Sequence, residues 1–328
     1  MRVAVLGAGS WGTTFAALTS AKVPTTLWGR RPALVEAMQR TRRNIDYLAN
    51  EALPEFLDCS ASLEEALDGA DVVVMAVPSQ GFRSVLAEAA VFIPVGTPVV
   101  SLAKGVEKTS RLRMTEVVAE VAPGRPVGVL TGPNFASEVL AGHPTASVLA
   151  MSDPAHGAAL QALFSSHAFR VYTNTDVVGC ELAGALKNVI AIASGMADGM
   201  GFGDSTKAAL ITRGLAELTR VGTHLGGRAS TFAGLAGMGD LVATCISRHS
   251  RNRYVGEELG KGRSLHDVLS GMRMVAEGVS SAPAMVELAA GAGVEVPISE
   301  QVVAVLYGGR KPADALPALM QRGVKAEL

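Results

Sequence analysis

Apolar and polar residues alternate in short blocks through the first half of the chain. The apolar run over 2–6 predicts a strand, and a glycine-rich turn and an apolar helical pattern follow it. Continuous apolar runs predict buried strands over 71–78 and 98–103. The second strand is expected over 25–28, about twenty residues past the glycines, and further short strands over 126–130, 146–151 and 168–172. Helical patterns lie between several of these runs, so the sequence predicts an α/β fold with a doubly wound parallel sheet.

The pattern changes after Asn174, beyond which it predicts helices alone. Candidate helices cover 177–197, 206–224, 231–236, 252–260, 264–270, 281–291, 299–307 and 312–321. A chain of 328 residues is too long for one compact core. We therefore predict two domains, an α/β domain over 1–175 and an all-α domain over 176–328.

Three glycines in the first turn have the spacing of a dinucleotide-binding fingerprint. Gly7, Gly9 and Gly12 form GxGxxG between a strand and a helix, which is the context that the fingerprint requires. The first glycine permits the tight turn, the second lets a pyrophosphate approach the backbone, and the third lets the helix pack on the strand. The phosphates would lie on free N–H groups at the positive end of the helix. The turn predicts a Rossmann-type domain that binds NAD or NADP.

The end of the second strand bears on the choice of cofactor. An acidic residue normally accepts the ribose hydroxyls there, but this chain has Arg30 and Arg31. Two guanidinium groups with no carboxylate favour NADP, whose 2′-phosphate they can bind. The alternative is a solvated arginine pair at the start of a helix, with Pro32 in its first turn.

Further polar or glycine-rich turns follow three of the predicted strands. They are 78–80, Lys104 with Gly105, and 131–138. Ligands of doubly wound sheets bind outside the carboxyl ends of the strands, so these turns predict a lined cleft.

Lys187 is the most unusual residue of the helical half. It shares a face of the predicted helix with Ala183, Gly184, Ala191 and Ser194, which are all small. A lysine among small, uncharged side chains indicates a functional amine, although most lysines extend along a surface into water.

A glycine-rich turn and a basic segment complete the candidate chemistry. Asp240 ends the turn 234–240 and either caps the helix after it or orients a nearby lysine ammonium; both roles remain open. Ser250, Arg251 and Asn252 precede a helix, whose N–H groups together with a guanidinium group would bind an anion. A solvated basic cluster is the alternative reading of that segment.

Composition excludes several other classes of function. The net charge of −1 gives no basic field for nucleic acid or a membrane surface. The three cysteines and six histidines are scattered, so we expect neither a disulfide framework nor a metal site. The sequence contains no run of 18 apolar residues, so we expect no membrane span. We expect a cytoplasmic protein.

Ordered motifs along almost the whole chain resemble one family. The motifs are 7–13, 77–80, 104–105, 132–136, 181–189, 201–203, 237–241, 250–253 and 276–279. On these motifs the sequence is identified as a member of the NAD(P)-dependent glycerol-3-phosphate dehydrogenases of the bacterial type. Asn134 stands where most bacterial relatives have Ser or Thr, and Ser205 where the family usually has Asn.

The resemblance implies an oxidoreductase that interconverts dihydroxyacetone phosphate and sn-glycerol 3-phosphate by hydride transfer and supplies glycerol phosphate for phospholipid synthesis. It implies Lys187 as the proton donor and acceptor and a nicotinamide cofactor. Because of Arg30 and Arg31 we expect that cofactor to be NADP, with NAD as the alternative. The implied substrate contacts are Lys104, Gly132, Asn134, Lys187, Asp240, Ser250, Arg251 and Asn252. The expected cofactor contacts are Gly7, Gly9, Ser10, Trp11, Gly12, Arg30, Arg31, Lys104, Ala136, Arg251, Val275 and Glu277. We also expect a homodimer.

Three other readings compete with this one. A 3-hydroxyacid or ketopantoate dehydrogenase would also combine a Rossmann half, a helical half and a catalytic lysine, but it would bind carboxylates. A non-catalytic NADP sensor would not need Lys187, Asp240 and Arg251 together. A hydrolase is disfavoured, because Ser10 lies in a small-x-Ser-x-Gly pattern without triad partners in order.

Overall fold

The structure is a computed structural model, and it describes residues 1–272 and 274–321. Contacts between residues divide the chain into two compact units, Met1–Glu181 and Leu182–Leu328. The division falls inside one long helix, Val177–Gly199. The domain boundary that we predicted, after residue 175, lies just before that helix.

The first unit contains one eight-stranded sheet. Its strands are β1 Val3–Leu6, β2 Thr25–Trp28, β3 Leu57–Ser60, β4 Val72–Met75, β5 Val99–Ser101, β6 Val127–Thr131, β7 Thr145–Met151 and β8 Phe169–Asn174. Their order in space is β3-β2-β1-β4-β5-β6-β7-β8. The first six strands have the Rossmann order and are all parallel. The predicted α/β class is confirmed.

Helices cover both faces of this sheet. They are α1 Ser10–Ser20, α2 Pro32–Thr41, α3 Leu63–Leu67, α4 Ser79–Ala89 with a 3₁₀ turn at Ala90–Phe92, α5 Met114–Val121, α6 Ala136–Leu140 and α7 Pro154–Phe164. Side chains of α1, α2 and α7 form the core on one face, including Phe15, Met38 and Phe164. Side chains of α3, α4 and α5 form the core on the other face. The sheet is therefore buried on both sides, which explains its continuous apolar strands.

Two features of the sheet differ from the prediction. The sequence analysis missed β3, an edge strand of four residues in which Asp58 is exposed and interrupts the apolar pattern. The pairing of β6 with β7 is antiparallel. Their connection holds only the five-residue helix α6.

The described part of the second unit is helical. Its elements are the rest of α8 Val177–Gly199, then α9 Asp204–His224, α10 Ala229–Phe232, a π-helix Leu235–Gly239, α11 Asp240–Ile246, α12 Arg251–Gly260, α13 Leu265–Ser270, α14 Glu277–Gly291, α15 Pro297–Tyr307 and α16 Pro312–Met320. The helix predicted over 231–236 is wrong, because that stretch divides between α10 and the π-helix. The helix expected from residue 206 begins at Asp204, so Ser205 lies in its first turn.

The start of α14 was also predicted wrongly. The sequence predicted a helix over 281–291, but the helix begins at Glu277 and Pro283 lies inside it. A proline leaves the carbonyl four residues earlier without its helical partner. The Tyr307 hydroxyl donates to that carbonyl, the Val279 oxygen, at 2.7 Å. A tertiary hydrogen bond thus compensates for the one that the proline removes.

Close helix packing surrounds α8 in the second unit. A Cβ atom added at Gly256 of α12 would lie 2.0 Å from the Ile192 carbonyl oxygen of α8, so glycine is required there. By length and composition alone, Val177–Gly199 and Ala229–Ile246 could each cross a membrane. Of the most apolar window in α8, 89% is buried inside the protein, which is the behaviour of a core helix.

Candidate active site

The glycine turn after β1 is built from three different steric requirements. Gly7 has φ +123°, and a Cβ atom there would lie 2.6 Å from the Ala76 carbonyl oxygen. A Cβ atom at Gly12 would lie 2.0 Å from the Gly7 carbonyl oxygen. At Gly9, by contrast, a Cβ atom would meet no described atom within 4 Å. Gly7 and Gly12 therefore shape the turn, whereas Gly9 leaves open space beside the backbone.

Helix α1 begins directly at this open space. Gly9 is its N-cap residue and has no side chain to bond the first-turn N–H groups. Such a helix end favours an anion through those N–H groups and the helix dipole. Trp11 packs against Phe15 and Phe169, with ring centroids 6.1 Å apart in each case. Its indole Nε1 is buried and has no acceptor among the described residues.

Arg30 and Arg31 follow β2 and are exposed, beside the glycine turn. The Gly7 N–H donates to the carbonyl of Trp28, the last residue of β2, at 2.9 Å, which fixes the two strand ends next to each other. Arg31 forms an ion pair with Asp46 at 2.6 Å, and its guanidinium carbon lies 5.8 Å from the centre of the Tyr47 ring. A 2′-phosphate would therefore meet one guanidinium group that is already paired.

The ends of β5 and β6 bring a lysine and an amide together. The Lys104 Nζ donates to the Gly132 carbonyl oxygen at 2.7 Å. The Asn134 N–H donates to that same oxygen at 2.8 Å. Ala136 opens α6, and its carbonyl accepts from the Thr14 hydroxyl of α1 at 3.2 Å. These residues and the glycine turn thus share one edge of the sheet, as the sequence predicted.

Lys187 is buried in the second unit and paired with a carboxylate. Its side chain is 5% exposed, and its Nζ lies 2.6 Å from the Asp240 Oδ1 and 2.5 Å from the Thr244 hydroxyl oxygen. The Thr244 hydroxyl also contacts the Asp240 carbonyl oxygen at 2.6 Å. A surface lysine that extends into water is therefore the wrong reading. A buried ammonium requires such partners, because removing it from water is costly.

Asp240 contacts the lysine and does not occupy an N-cap position. It is the first residue of α11, whose N-cap is Gly239, and the π-helix Leu235–Gly239 precedes it. The capping role that we considered for its side chain is therefore wrong. Short π-helical turns occur frequently at functional sites. Thr244 was missed by the sequence analysis, although its position four residues after Asp240 places both on one face of α11.

The segment 250–252 forms the start of α12. The Ser250 hydroxyl oxygen accepts from the Arg253 N–H at 3.2 Å and caps the helix. Arg251 is exposed in the first turn. Asn252 is buried, and its Nδ2 donates to the Asn188 Oδ1 at 2.9 Å, so the segment lies beside the helix that carries Lys187.

Asn252 also connects this segment to α14. Its Oδ1 accepts from the Gly278 N–H at 3.0 Å, and Glu277 interacts electrostatically with Arg251. Val275, just before α14, is exposed. Among the described residues, no group of three or more His, Cys, Asp or Glu side chains could hold a metal ion.

Comparison with known proteins identifies the family. A family model described as the NAD-dependent glycerol-3-phosphate dehydrogenase N-terminus matches residues 2–157, and one for the C-terminus of the same enzymes matches 176–317. The chain belongs to the NAD-dependent glycerol-3-phosphate dehydrogenase family. The family that we predicted is confirmed, and with it the oxidoreductase class and the NAD(P) cofactor.

Individual relatives agree with this assignment over the whole chain. The chain is 54% identical to glycerol-3-phosphate dehydrogenase [NAD(P)+] 2 of Sphingopyxis alaskensis, covering 100% of this chain and 98% of the relative. The crystal structure of glycerol-3-phosphate dehydrogenase from Coxiella burnetii has a TM-score of 0.94 at 37% identity, covering 98% of this chain and 99% of that one. A ketopantoate reductase from Ralstonia eutropha has a TM-score of 0.60 at 18% identity over 96% of this chain and 100% of that one, which shows a shared fold alone.

The residues of the first unit fit the dinucleotide of this family. The space beside Gly9 would admit a pyrophosphate, and the first turn of α1 supplies N–H donors. The buried Nε1 of Trp11 is a further donor that has no acceptor among the described residues. An anionic group that accepts hydrogen bonds would satisfy all three features.

Proposed function

We propose that this protein interconverts dihydroxyacetone phosphate and sn-glycerol 3-phosphate with NAD(P)H, and that Lys187 carries the proton. The observation that supports this most directly is the buried Lys187 ammonium, 2.6 Å from a carboxylate and 2.5 Å from a hydroxyl. A lysine held in this way supports a chemical role, because burying a charge is costly and such groups concentrate at functional sites. Family membership supports the choice of substrate.

Lys187 acts on the oxygen at C2 of the substrate. Reduction of the ketone makes that oxygen an alkoxide, which needs stabilisation and a proton. The Lys187 ammonium polarises the carbonyl and then delivers its proton, and in the reverse direction the neutral amine accepts it. Asp240 and Thr244 fix the direction of the Nζ, so that the amine needs little reorganisation during the reaction.

Arg251 and the start of α12 bind the substrate phosphate. Arg251 is the first residue of α12, where the N–H groups and the helix dipole also attract an anion. Binding energy from this phosphate, which is remote from the reacting carbon, orients C2 for reaction. Lys104, Gly132, Asn134, Asp240, Ser250 and Asn252 are proposed as further substrate contacts.

The cofactor is held by the glycine turn and its neighbours. When bound, the nicotinamide supplies or accepts the hydride. The pyrophosphate region is bound by the glycine turn and the start of α1, that is by Gly7, Gly9, Ser10, Trp11 and Gly12. Arg30 and Arg31 lie where the ribose binds and favour NADP. Lys104, Ala136, Arg251, Val275 and Glu277 are proposed as the remaining contacts.

The cellular setting follows from the reaction and the composition. We place the enzyme in the cytoplasm, where it supplies glycerol phosphate for phospholipid synthesis. A net charge of −1 and three separate, buried cysteines support this assignment. The partners are a small phosphorylated substrate and a second copy of the chain as a homodimer, with no nucleic acid and no membrane span.

The replacement Lys187→Ala tests the role of the amine. We expect kcat for dihydroxyacetone phosphate to fall by about 10²–10⁴-fold, because general acid catalysis is lost. The affinity for NADPH should stay nearly unchanged. Initial rates followed by nicotinamide absorbance, with NADPH and NADH at equal concentrations, give both the activity and the cofactor preference.

Lys207→Ala is the matched control for this test. Lys207 also pairs with a carboxylate of the second unit, Asp198, at 2.5 Å, but has no proposed role in the reaction. It should keep a wild-type kcat. Near-normal turnover by Lys187→Ala would exclude Lys187 as the acid, and wild-type reduction of ketopantoate in place of dihydroxyacetone phosphate would refute the proposed reaction.

A further inference from the structure

A buried serine contacts the side-chain amide of Asn134. Ser147 of β7 is fully buried, and its hydroxyl oxygen lies 3.0 Å from the Asn134 Nδ2. The same hydroxyl donates to the Thr131 carbonyl oxygen at 2.8 Å. Ser147 was not singled out in the sequence, where it is one small residue within an apolar strand.

These two hydrogen bonds fix which end of the Asn134 amide faces Ser147. A serine hydroxyl has one proton, and here the Thr131 carbonyl receives it. Towards Asn134 the Ser147 oxygen can therefore only accept. The amide must present its NH₂ group to Ser147 and turn its carbonyl oxygen to the opposite side.

The carbonyl oxygen of Asn134 then has an unmet requirement. The Oδ1 atom is buried, and none of the described residues donates a hydrogen bond to it. A buried acceptor left in this state costs free energy, so it is a position for a donor from a ligand. The residue stands at the carboxyl end of β6, and both its N–H and the Lys104 Nζ donate to the Gly132 carbonyl oxygen.

We propose that Ser147 is a positioning residue that holds the Asn134 carbonyl oxygen as an acceptor for the C1 hydroxyl of the substrate. The inference rests on the proposed function, which supplies a substrate with that hydroxyl. The ketone and the phosphate oxygens of dihydroxyacetone phosphate are acceptors, so its hydroxyl is the group that can donate. The arrangement makes the enzyme selective for substrates that carry a hydroxyl at C1.

The ratio of kcat/KM for two substrates measures this selectivity. Acetol phosphate has hydrogen in place of the C1 hydroxyl of dihydroxyacetone phosphate and is otherwise the same. The wild type should prefer dihydroxyacetone phosphate by about 10²–10⁴-fold, because the analogue leaves the buried acceptor unpaired. Ser147→Ala frees the amide to rotate and should lower this ratio by about tenfold.

Two further variants separate positioning from a structural effect. Ser20→Ala removes another buried hydroxyl of the first unit, which donates to the Ala17 carbonyl oxygen at 3.0 Å, and should leave the ratio unchanged. Asn134→Asp has an oxygen at both ends of the side chain. In that background Ser147→Ala should no longer change the ratio, because rotation then makes no difference.

The outcomes distinguish this inference from the proposed function. A fall in the ratio for Ser147→Ala alone, absent in the Asn134→Asp background, supports it. An unchanged ratio, or a rise confined to the KM for NADPH that assigns the donor to the cofactor, overturns it. Failure of the wild type to reduce dihydroxyacetone phosphate would refute the proposed function instead. Should Ser147→Ala not fold, Asn134→Leu must lower the ratio, and a wild-type ratio there overturns the inference.

Discussion

The glycine turn of the first unit would bind its ligand through backbone groups, whereas the candidate site of the second unit centres on a buried charged pair. Gly7, Gly9 and Gly12 act through the space that they leave and the N–H groups that they expose. Lys187 and Asp240 act through charges that are held almost entirely out of water. The first kind of site is sensitive to added volume, and the second is sensitive to a lost partner.

This difference has a consequence for stability. An open cradle such as the space beside Gly9 can be filled without disturbing the fold. A buried ion pair cannot be halved without leaving an uncompensated charge in a medium of low polarity. A substitution at Gly9 should therefore impair ligand binding without lowering stability. A substitution in the Lys187–Asp240 pair should lower activity and stability together.

Asp240→Asn should produce the largest effect on stability. The Lys187 ammonium would stay buried without its carboxylate, and breaking such a pair costs about 3–5 kcal/mol. Urea unfolding measures the change, and kcat should fall in parallel.

The matched control is Glu120→Gln, whose partner Arg83 lies 2.9 Å away in a pair that is largely exposed. The control should leave the free energy of unfolding nearly unchanged. Equal losses in both variants would contradict the comparison.

The glycine turn offers the opposite test with a pair of variants. Gly12→Ala places a Cβ atom 2.0 Å from the Gly7 carbonyl oxygen and should destabilise the protein by about 1–3 kcal/mol. Gly9→Ala meets no described atom within 4 Å and should keep the wild-type melting temperature. It should nevertheless weaken NADPH binding by about tenfold or more, since the methyl group occupies the space for the pyrophosphate. Normal NADPH affinity in Gly9→Ala would place the pyrophosphate elsewhere.

The same contrast explains how far the sequence could be interpreted. Glycine spacing encodes a backbone conformation locally, so the turn, the strand before it and the helix after it were predicted correctly. The burial of Lys187 was also predictable, because small residues surround it on one helical face. The partner Thr244, the π-helix before Asp240 and the bond from Tyr307 to Val279 depend on packing between helices that are distant in the sequence. The proposed role of Ser147 could not be predicted from the sequence, because it depends on the hydroxyl donating to the Thr131 carbonyl oxygen and not to Asn134.

Glu217 extends the comparison to a charge outside the candidate site. It is a buried residue of α9, and its carboxylate accepts from the Ile298 N–H at 2.7 Å and from the N–H and hydroxyl of Ser299. Burial raises the pKa of Glu217 from 4.5 to about 7, although these bonds and Arg220 oppose the shift. The folded protein therefore binds this proton more tightly than the unfolded chain. Stability from this group is present below pH 4.5 and is lost as the pH rises to about 7.

Glu217→Gln removes this pH dependence. Between pH 4.5 and 8 the free energy of unfolding of the variant should rise relative to the wild type by at most about 3 kcal/mol. Glu107→Gln in the first unit is the control of opposite sign. Arg83 lowers the pKa of Glu107, so the wild type should hold its advantage over that variant above pH 4.5 and lose it in acid. If the free energies of unfolding of the two variants changed with pH in the same direction relative to the wild type, burial would not control the pKa of Glu217. The contrast between Glu217 and Glu107 would then be wrong.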